Sequence, residues 1–340
     1  MGQKGILILG STHPASLELI YASELSKLGI ENKVLGVQNL FLDYYHKSLF
    51  EKLFYRTGLS RIIERIQKVI QSQICRFKPE IVIVFKGMEV QPKTITWIKA
   101  QGIKVVNYNP DSPFIFSGFG SGNRNVTDSI SLFDTYFTYD RFILQQLKER
   151  KVNCELLPFG FDACGFEYFE LNPQDEILKI CFLGNADKYR LDFIQNLAKK
   201  RIPVDVYGEN WSSFRVHPSI TIHGPLYGRA FWSTLQKYAV QLNMLRPHNL
   251  NSHNMRSFDI PGSGGIMLAP RTPDHAMYYS ENSEVFLFSE FKEAVDQYHR
   301  ILSLNFEERN KIRYAARMRS MNEHTYSHRV KAILESLNWT

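Results

Sequence analysis

The chain has 340 residues, 44% of them hydrophobic and 22% charged, with a formal net charge of +7. That length suits two domains of ordinary size, and the composition excludes a disordered chain, a collagen-like repeat and a membrane bundle. The surplus of Lys and Arg is scattered rather than gathered into a stripe. It therefore argues against nucleic acid and leaves either a well-solvated surface or attraction to something anionic: a diphosphate, a lipid phosphate or a membrane face.

The first apolar run, residues 6–9, is too short for a signal peptide or a membrane span and reads as a buried strand. Cys75, Cys154, Cys164 and Cys181 have neither CxxC spacing nor a secreted framework, so reduced thiols and a cytoplasmic location are expected. Peripheral contact with the inner membrane face is a further expectation from the charge.

In chain order, strands are expected at residues 6–9, 33–35, 81–85, 105–108, 135–139 and 154–157, with amphipathic helices over 15–28 and 59–77. Continuous apolar strands separated by helices imply a parallel sheet covered on both faces. The pattern pauses in the turn-rich stretch from Pro158 to Asp175, then restarts with strands at 178–183, 204–207, 221–222, 240–245, 266–268 and 285–288. Residues 306–337 are helical in pattern. The fold class is therefore α/β: two Rossmann-like, doubly wound parallel-sheet domains facing across a cleft. The domains are drawn at 1–168 and 169–325, with a helix over 326–340 able to pack back on the first.

Ligands of open α/β sheets bind beyond the carboxyl ends of the strands. After residue 245 a short helix is expected to begin near Ser252 or His253, capped by Asn251 or Ser252. Met255 and Phe258 would face the core, and Arg256 and Asp259 would share another face. Pro261 would kink or end the helix, and Gly262, Gly264 and Gly265 would let the backbone approach a ligand. The free amides of such a helix start attract an anion, and an acid on it can accept hydrogen bonds from a ribose diol. The plain alternative is a helix closed by a glycine turn, with a surface Arg256–Asp259 pair worth little.

Other loops extend the set. Gly184 and Asn185 follow the first strand of the second half, and Lys188 or Arg190 could meet a diphosphate. Arg246 follows a buried strand. Tyr207, Gly208, His223, Gly224 and Tyr227 could wall a base pocket. In the first half, Asp111 follows a strand in a loop braced by Pro110 and Pro113 and could take a proton from a hydroxyl. Turn formation is the plain alternative for Asp111. His13 is the rival base, and the glycine-rich stretch 118–125 could shape an acceptor site. No DxD-like motif stands at a strand end, so metal independence and no cofactor are expected, with cations and helix amides at the leaving group.

The stretch Asn254-Met-Arg-Ser-Phe-Asp-Ile-Pro-Gly-Ser-Gly-Gly resembles the signature of the CgeB-like (spore maturation protein) glycosyltransferases. Arg271-Thr-Pro-Asp, Val285-Phe-Leu-Phe and His324-Thr-Tyr-Ser-His-Arg follow in the same order. Upstream, Phe182-Leu-Gly-Asn, Val206-Tyr-Gly-Glu-Asn-Trp and Ile222-His-Gly-Pro-Leu-Tyr-Gly also fit, and Asn109-Pro-Asp-Ser-Pro is similar to the family's aspartate-proline loop. The resemblance spans most of residues 178–330. It implies a GT-B fold and a hexosyl-type transferase using a UDP- or GDP-type sugar donor, with a glycan, lipid-linked or protein acceptor. It also implies that Asp259 takes the place of the donor-ribose acid, usually Glu, while Asn251 stands where an acid-seven-acid motif would want its first acid. That departure leaves the stereochemical course open and keeps two alternatives: a sugar-nucleotide epimerase on the same fold, and a non-catalytic nucleotide-sugar-binding protein.

Overall fold

The computed structural model describes residues 5–116, 120–246 and 251–339. Its contacts divide the chain into two compact units, Met1–Pro158 with Arg329–Thr340, and Phe159–His328.

The first unit is built on six parallel strands: β1 (Gly5–Leu9), β2 (Glu31–Leu35), β3 (Ile81–Phe85), β4 (Lys104–Asn109), β5 (Thr135–Thr138) and β6 (Cys154–Leu156). Their order is β2-β1-β3-β4-β5-β6. Ile6 to Leu9 and Ile81 to Val84 are buried because helices cover both faces, which is why these strands read as continuous apolar runs rather than alternating ones. The chain reverses its direction of travel between β1 and β3. That switch point leaves a crevice at the carboxyl ends of the two strands.

The second unit repeats the plan with β7 (Ile177–Leu183), β8 (Val204–Tyr207), β9 (Ile220–His223), β10 (Tyr238–Leu242), β11 (Met267–Pro270) and β12 (Phe286–Phe288), in the order β12-β11-β10-β7-β8-β9. Here the switch point lies between β7 and β10. Ile180, Phe182, Val204 and Val206 pack with Ile194 and Leu197 of the helix Lys188–Lys199 to make one face of its core. All twelve strands fall where the hydrophobic runs put them, within a few residues.

Three expectations about boundaries need correction. The change of unit comes at 158/159, not at 168/169. Phe161 and Phe166 pack on Trp232 at 5.7 and 5.4 Å, and Phe161 pairs with Thr325, drawing this turn-rich stretch into the second unit. The C-terminal helical run is two helices, Phe306–Glu323 and Tyr326–Ser336. The break is fixed by backbone bonds from Phe161 N to His324 O at 2.7 Å and from Tyr326 N to Phe161 O at 3.1 Å. Within the second of these helices the chain leaves one unit for the other. Lys104 Nζ donates to Leu337 O at 2.9 Å, and Ser336 Oγ donates to Glu155 Oε1 at 2.6 Å.

The third correction concerns the short helix after β10, which begins at Arg256 rather than near Ser252. Met255 stands at the cap position without a side-chain bond, and Asn254 Oδ1 just before it accepts from Ser257 N at 3.1 Å. Ser252 and His253 are buried instead, both bonded to Asp274 Oδ2, at 3.1 and 2.7 Å. Pro261 lies inside the helix, which runs on to Ser263 and stops at Gly264 in the left-handed conformation, φ +85°.

Candidate functional site

The loops after β7 and β10 meet across the second switch point, and Arg190 joins them. It projects from the helix Lys188–Lys199, whose start is capped by Asp187 Oδ1 accepting from Arg190 N at 2.9 Å. Its guanidinium is buried. One arm donates to Asn185 O at 3.0 Å in the first loop, the other to Met244 O at 3.3 Å in the second. The Asp187 carboxylate stands 3.4 Å from its Nε. Burial, chiefly, lowers the pKa of Arg190, with Asp187 opposing and Arg246 and Arg256 adding to the fall. Three arginines thus share one field at the strand ends.

Arg246 is exposed, and no hydrogen bond or ion pair from a described residue holds it. Arg256 lies 4.3 Å above the Phe231 ring and donates to Asp259 Oδ2 at 2.6 Å. Its Nε is buried without a hydrogen-bond partner among the described residues. Asp259 is buried, so the pair is not the surface contact of the plain reading. Desolvation pushes its carboxyl up to about 6 despite the opposing pull of Arg256, and Asp162 adds to the rise. Asp162 is a site-edge acid that sequence reasoning missed, because a Gly-Phe-Asp turn reads as turn chemistry.

The remaining polar residues of the signature hold the loop in shape. Asn254 Nδ2 donates to Asn243 Oδ1 at 2.9 Å, and Ser257 Oγ meets both Asn243 Nδ2 at 3.1 Å and His275 Nε2 at 2.7 Å. Burial lowers His275 to about 4, so it is neutral near pH 7. Met255 is half-buried and Phe258 fully buried. The close approaches that the glycines permit are to the protein itself. A Cβ on Gly262 would meet the Phe161 ring at 2.4 Å, and one on Gly265 would meet Leu235 O at 2.7 Å. Gly264 closes the helix.

Gly184 and Gly208 likewise pack loop on loop. A Cβ on Gly208 would stand 2.4 Å from Gly184 O, and Gly184 O also accepts from Trp211 Nε1 at 2.9 Å. Asn185 Oδ1 accepts from Glu209 N at 3.0 Å, while Lys188 is exposed at the helix start. Tyr207 and His223 stack at 4.3 Å, but Tyr207 points back along the sheet to Tyr238, whose hydroxyl donates to buried Asp205 at 2.7 Å. Gly224 and the exposed Tyr227 lie on the loop after β9.

At the first switch point the structure gathers a group that sequence reasoning largely missed. A cavity of about 250 Å³ is lined by Gly10, Ser11, Glu18, Lys86, Glu89 and Asp111, among others. Glu18 reaches over the end of β1 and accepts from Ser11 N at 2.7 Å, an approach that needs a glycine at position 10, where a Cβ would lie 2.2 Å from Oε1. Glu18 and Glu89 are each only 8% exposed. Burial raises Glu18, and it pushes Glu89 up to about 7, where Lys86 opposes the shift and Glu18 adds to it.

Asp111 is half-exposed and paired with Lys86 Nζ at 2.8 Å, and Lys86 also donates to Gly120 O at 2.9 Å. Lys86 sits in the left-handed region, φ +58°, directly after β3. His13 is exposed, its Nδ1 accepting from Ala15 N at 3.2 Å. Part of the glycine-rich stretch 118–125 lies outside the described residues. A roomier cavity of about 910 Å³ lies at the amino ends of β3 and β4, the end of the sheet that ligands of this architecture do not use. Among the described residues, no three His, Cys, Asp or Glu side chains gather to hold a metal ion.

Residues 190–335 match a family described as glycosyl transferase-like. No match to a curated protein was found. Among solved structures, the chain is similar to a glycosyltransferase from Rickettsia africae at 12% identity and TM-score 0.65, covering 98% of each chain. It is also similar to the Anabaena protein Alr3699/HepE in complex with UDP-glucose, at 11% identity and TM-score 0.65 over 99% of this chain and 100% of that one. A third is a UDP-GlcNAc 2-epimerase from Neisseria meningitidis bound to UDP-GlcNAc, at 15% identity and TM-score 0.58 over 99% and 100%. The fold is GT-B.

Proposed function

We propose that the chain transfers a hexose-type sugar from a nucleoside-diphosphate donor to a hydroxyl of a glycan, lipid-linked or protein acceptor, in the manner of the CgeB-like enzymes and without a metal ion. The observation that carries this reading is the cationic cluster of Arg190, Arg246 and Arg256 at the β7/β10 switch point, at the start of the helix Arg256–Ser263. Guanidinium groups and helix amides suit a diphosphate, whose charge grows as it leaves. The matches to a glycosyl transferase-like family and to folds holding UDP-glucose and UDP-GlcNAc support a nucleotide-sugar donor.

Asp259 is the acid for the donor ribose. Its Oδ2 is taken by Arg256, so a bound diol either uses the other oxygen or draws Arg256 towards the diphosphate. The acceptor oxygen attacks the anomeric carbon as the bond to the diphosphate breaks, and its proton passes to a carboxylate or imidazole base. Glu89, held near 7, is better poised for that proton than Asp111, which is occupied by Lys86. His13 is the third candidate.

The test is a panel of UDP- and GDP-sugars in excess chelator, with products separated after incubation with and without glycan and lipid-linked acceptors. Sugar transfer with stoichiometric nucleotide release is expected. An isomerised donor in the absence of acceptor would instead make the chain an epimerase, the activity named for the Neisseria neighbour. Loss of transfer in chelator, restored by manganese or magnesium, would overturn metal independence.

A further inference from the structure

The helix Leu49–Arg56 has no buried residue, although half of its side chains are Leu or Phe. Leu49 is 83% exposed, Phe50 73% and Leu53 60%, and Leu59 just beyond the helix is 68% exposed. At about 100° per residue, positions 49, 50, 53 and 54 share one face spanning roughly 140°. The opposite side holds the helix in place. Tyr55 packs edge-on against Phe41 at 4.8 Å and Tyr45 at 5.8 Å, both on the preceding helix Val37–Lys47. Ser48 caps the start, accepting from Glu51 N at 3.3 Å. An isolated eight-residue helix would not persist in water, so this one is built by the fold and presents its apolar face outward.

Charge decides what such a face suits. Lys47, Lys52, Arg56, Arg61 and Arg65 lie in or near this segment of the chain, against Glu51 and Glu64. By helical angle, Lys52 and Arg56 both border one side of the apolar arc, and Glu51 borders the other. Large apolar side chains that stand out, with a cationic border along one side, match the two layers of an anionic bilayer: acyl chains within, phosphates above. A second protein would need a groove to receive them. No described helix is long and apolar enough to cross a membrane, so the association would lie along the surface.

We propose that the segment from Leu49 to Leu59 is an interfacial anchor that seats the first unit on an anionic phospholipid membrane. The proposal deepens the reading of the chain as a transferase with a lipid-linked acceptor. Its test does not depend on nucleotide or on turnover.

The full chain is sedimented with vesicles of phosphatidylglycerol and phosphatidylcholine, and separately with phosphatidylcholine alone. Binding to the anionic vesicles is expected, weakening with salt and falling about tenfold or more in the triple variant Leu49→Ser, Phe50→Ser, Leu53→Ser. All three side chains are exposed, so folding and nucleotide affinity should be retained. A second variant, Phe50→Trp, should show a blue-shifted emission with anionic vesicles and not with neutral ones. Absence of binding by the wild type, or full binding by the triple variant, overturns the proposal. So does a concentration-dependent dimer that the triple variant abolishes, because the occupant is then a second copy. Vesicle binding by a chain that takes no nucleotide would leave the anchor standing and sink the transferase reading.

Discussion

At the carboxyl ends of β1 and β3 the first unit gathers Glu18, Glu89 and Asp111 around one cation, Lys86. At the corresponding place between β7 and β10 the second unit gathers Arg190, Arg246 and Arg256 with the buried acid Asp259, while Asp187 stands beside Arg190 and Asp162 acts on Asp259. Topology puts a crevice at the same position in both sheets. The loops give the crevices opposite sign, and chemistry follows the loops rather than the fold. In each, an ion pair ties down one of the charges: Lys86 holds Asp111, and Asp259 holds Arg256. An acidic site suits hydroxyls and protons, and a basic one suits phosphates.

Substitutions that neutralise one crevice should leave the other working. Glu89→Gln is expected to slow sugar transfer by ~10² to 10⁴-fold, with nucleotide affinity intact. Near-normal turnover in Glu89→Gln, with loss in Asp111→Asn or in His13→Ala, would move the base to the residue whose change is felt. The same Glu89→Gln variant changes how stability depends on pH. Its carboxyl is raised from 4.5 to about 7, facing Lys86, Glu18 and Tyr55. A raised acid contributes stability that is fully present below the unfolded value and is lost as pH rises through the folded one. Thermal melts should therefore show the variant more stable than wild type above pH 7, by up to about 3 kcal/mol, and nearly equal to it at pH 4.5.

On the basic side, Arg190→Ala removes the strut between the two loops and leaves Asn185 O and Met244 O without its donors. A loss of about 1–3 kcal/mol in urea unfolding is expected, with weaker nucleotide binding. Unchanged stability would mean that water replaces the guanidinium. Arg246→Ala, at an exposed position, should cost only a few-fold in nucleotide affinity, an effect that fades by about 0.5 M salt.

The strands were legible because both faces of each sheet are covered, which writes them as continuous apolar runs such as Ile81–Phe85. Asp111, Arg190, Arg246 and Arg256 were legible because each follows a strand end or starts a helix. The acidic crevice was harder to see. Glu18 lies within an amphipathic helix, yet with Tyr21 and Leu25 it occupies the apolar face, a spacing that flags a buried acid when the wheel is drawn. Glu89 carries no such mark, because its burial comes from the loop after β3 and a cavity formed by distant residues. The cap was misplaced because Asn251, Ser252 and Asn254 are all good capping residues. Only the buried partner Asp274 shows that Ser252 is engaged elsewhere.

Calorimetric titration of the full chain with UDP and GDP probes the basic crevice itself. Binding of at least one nucleotide is expected, weakening sharply in Arg256→Ala and in Asp259→Ala and unchanged in Glu89→Gln. Failure of the wild type to bind either nucleotide, or binding indifferent to both Arg256 and Asp259, would contradict it.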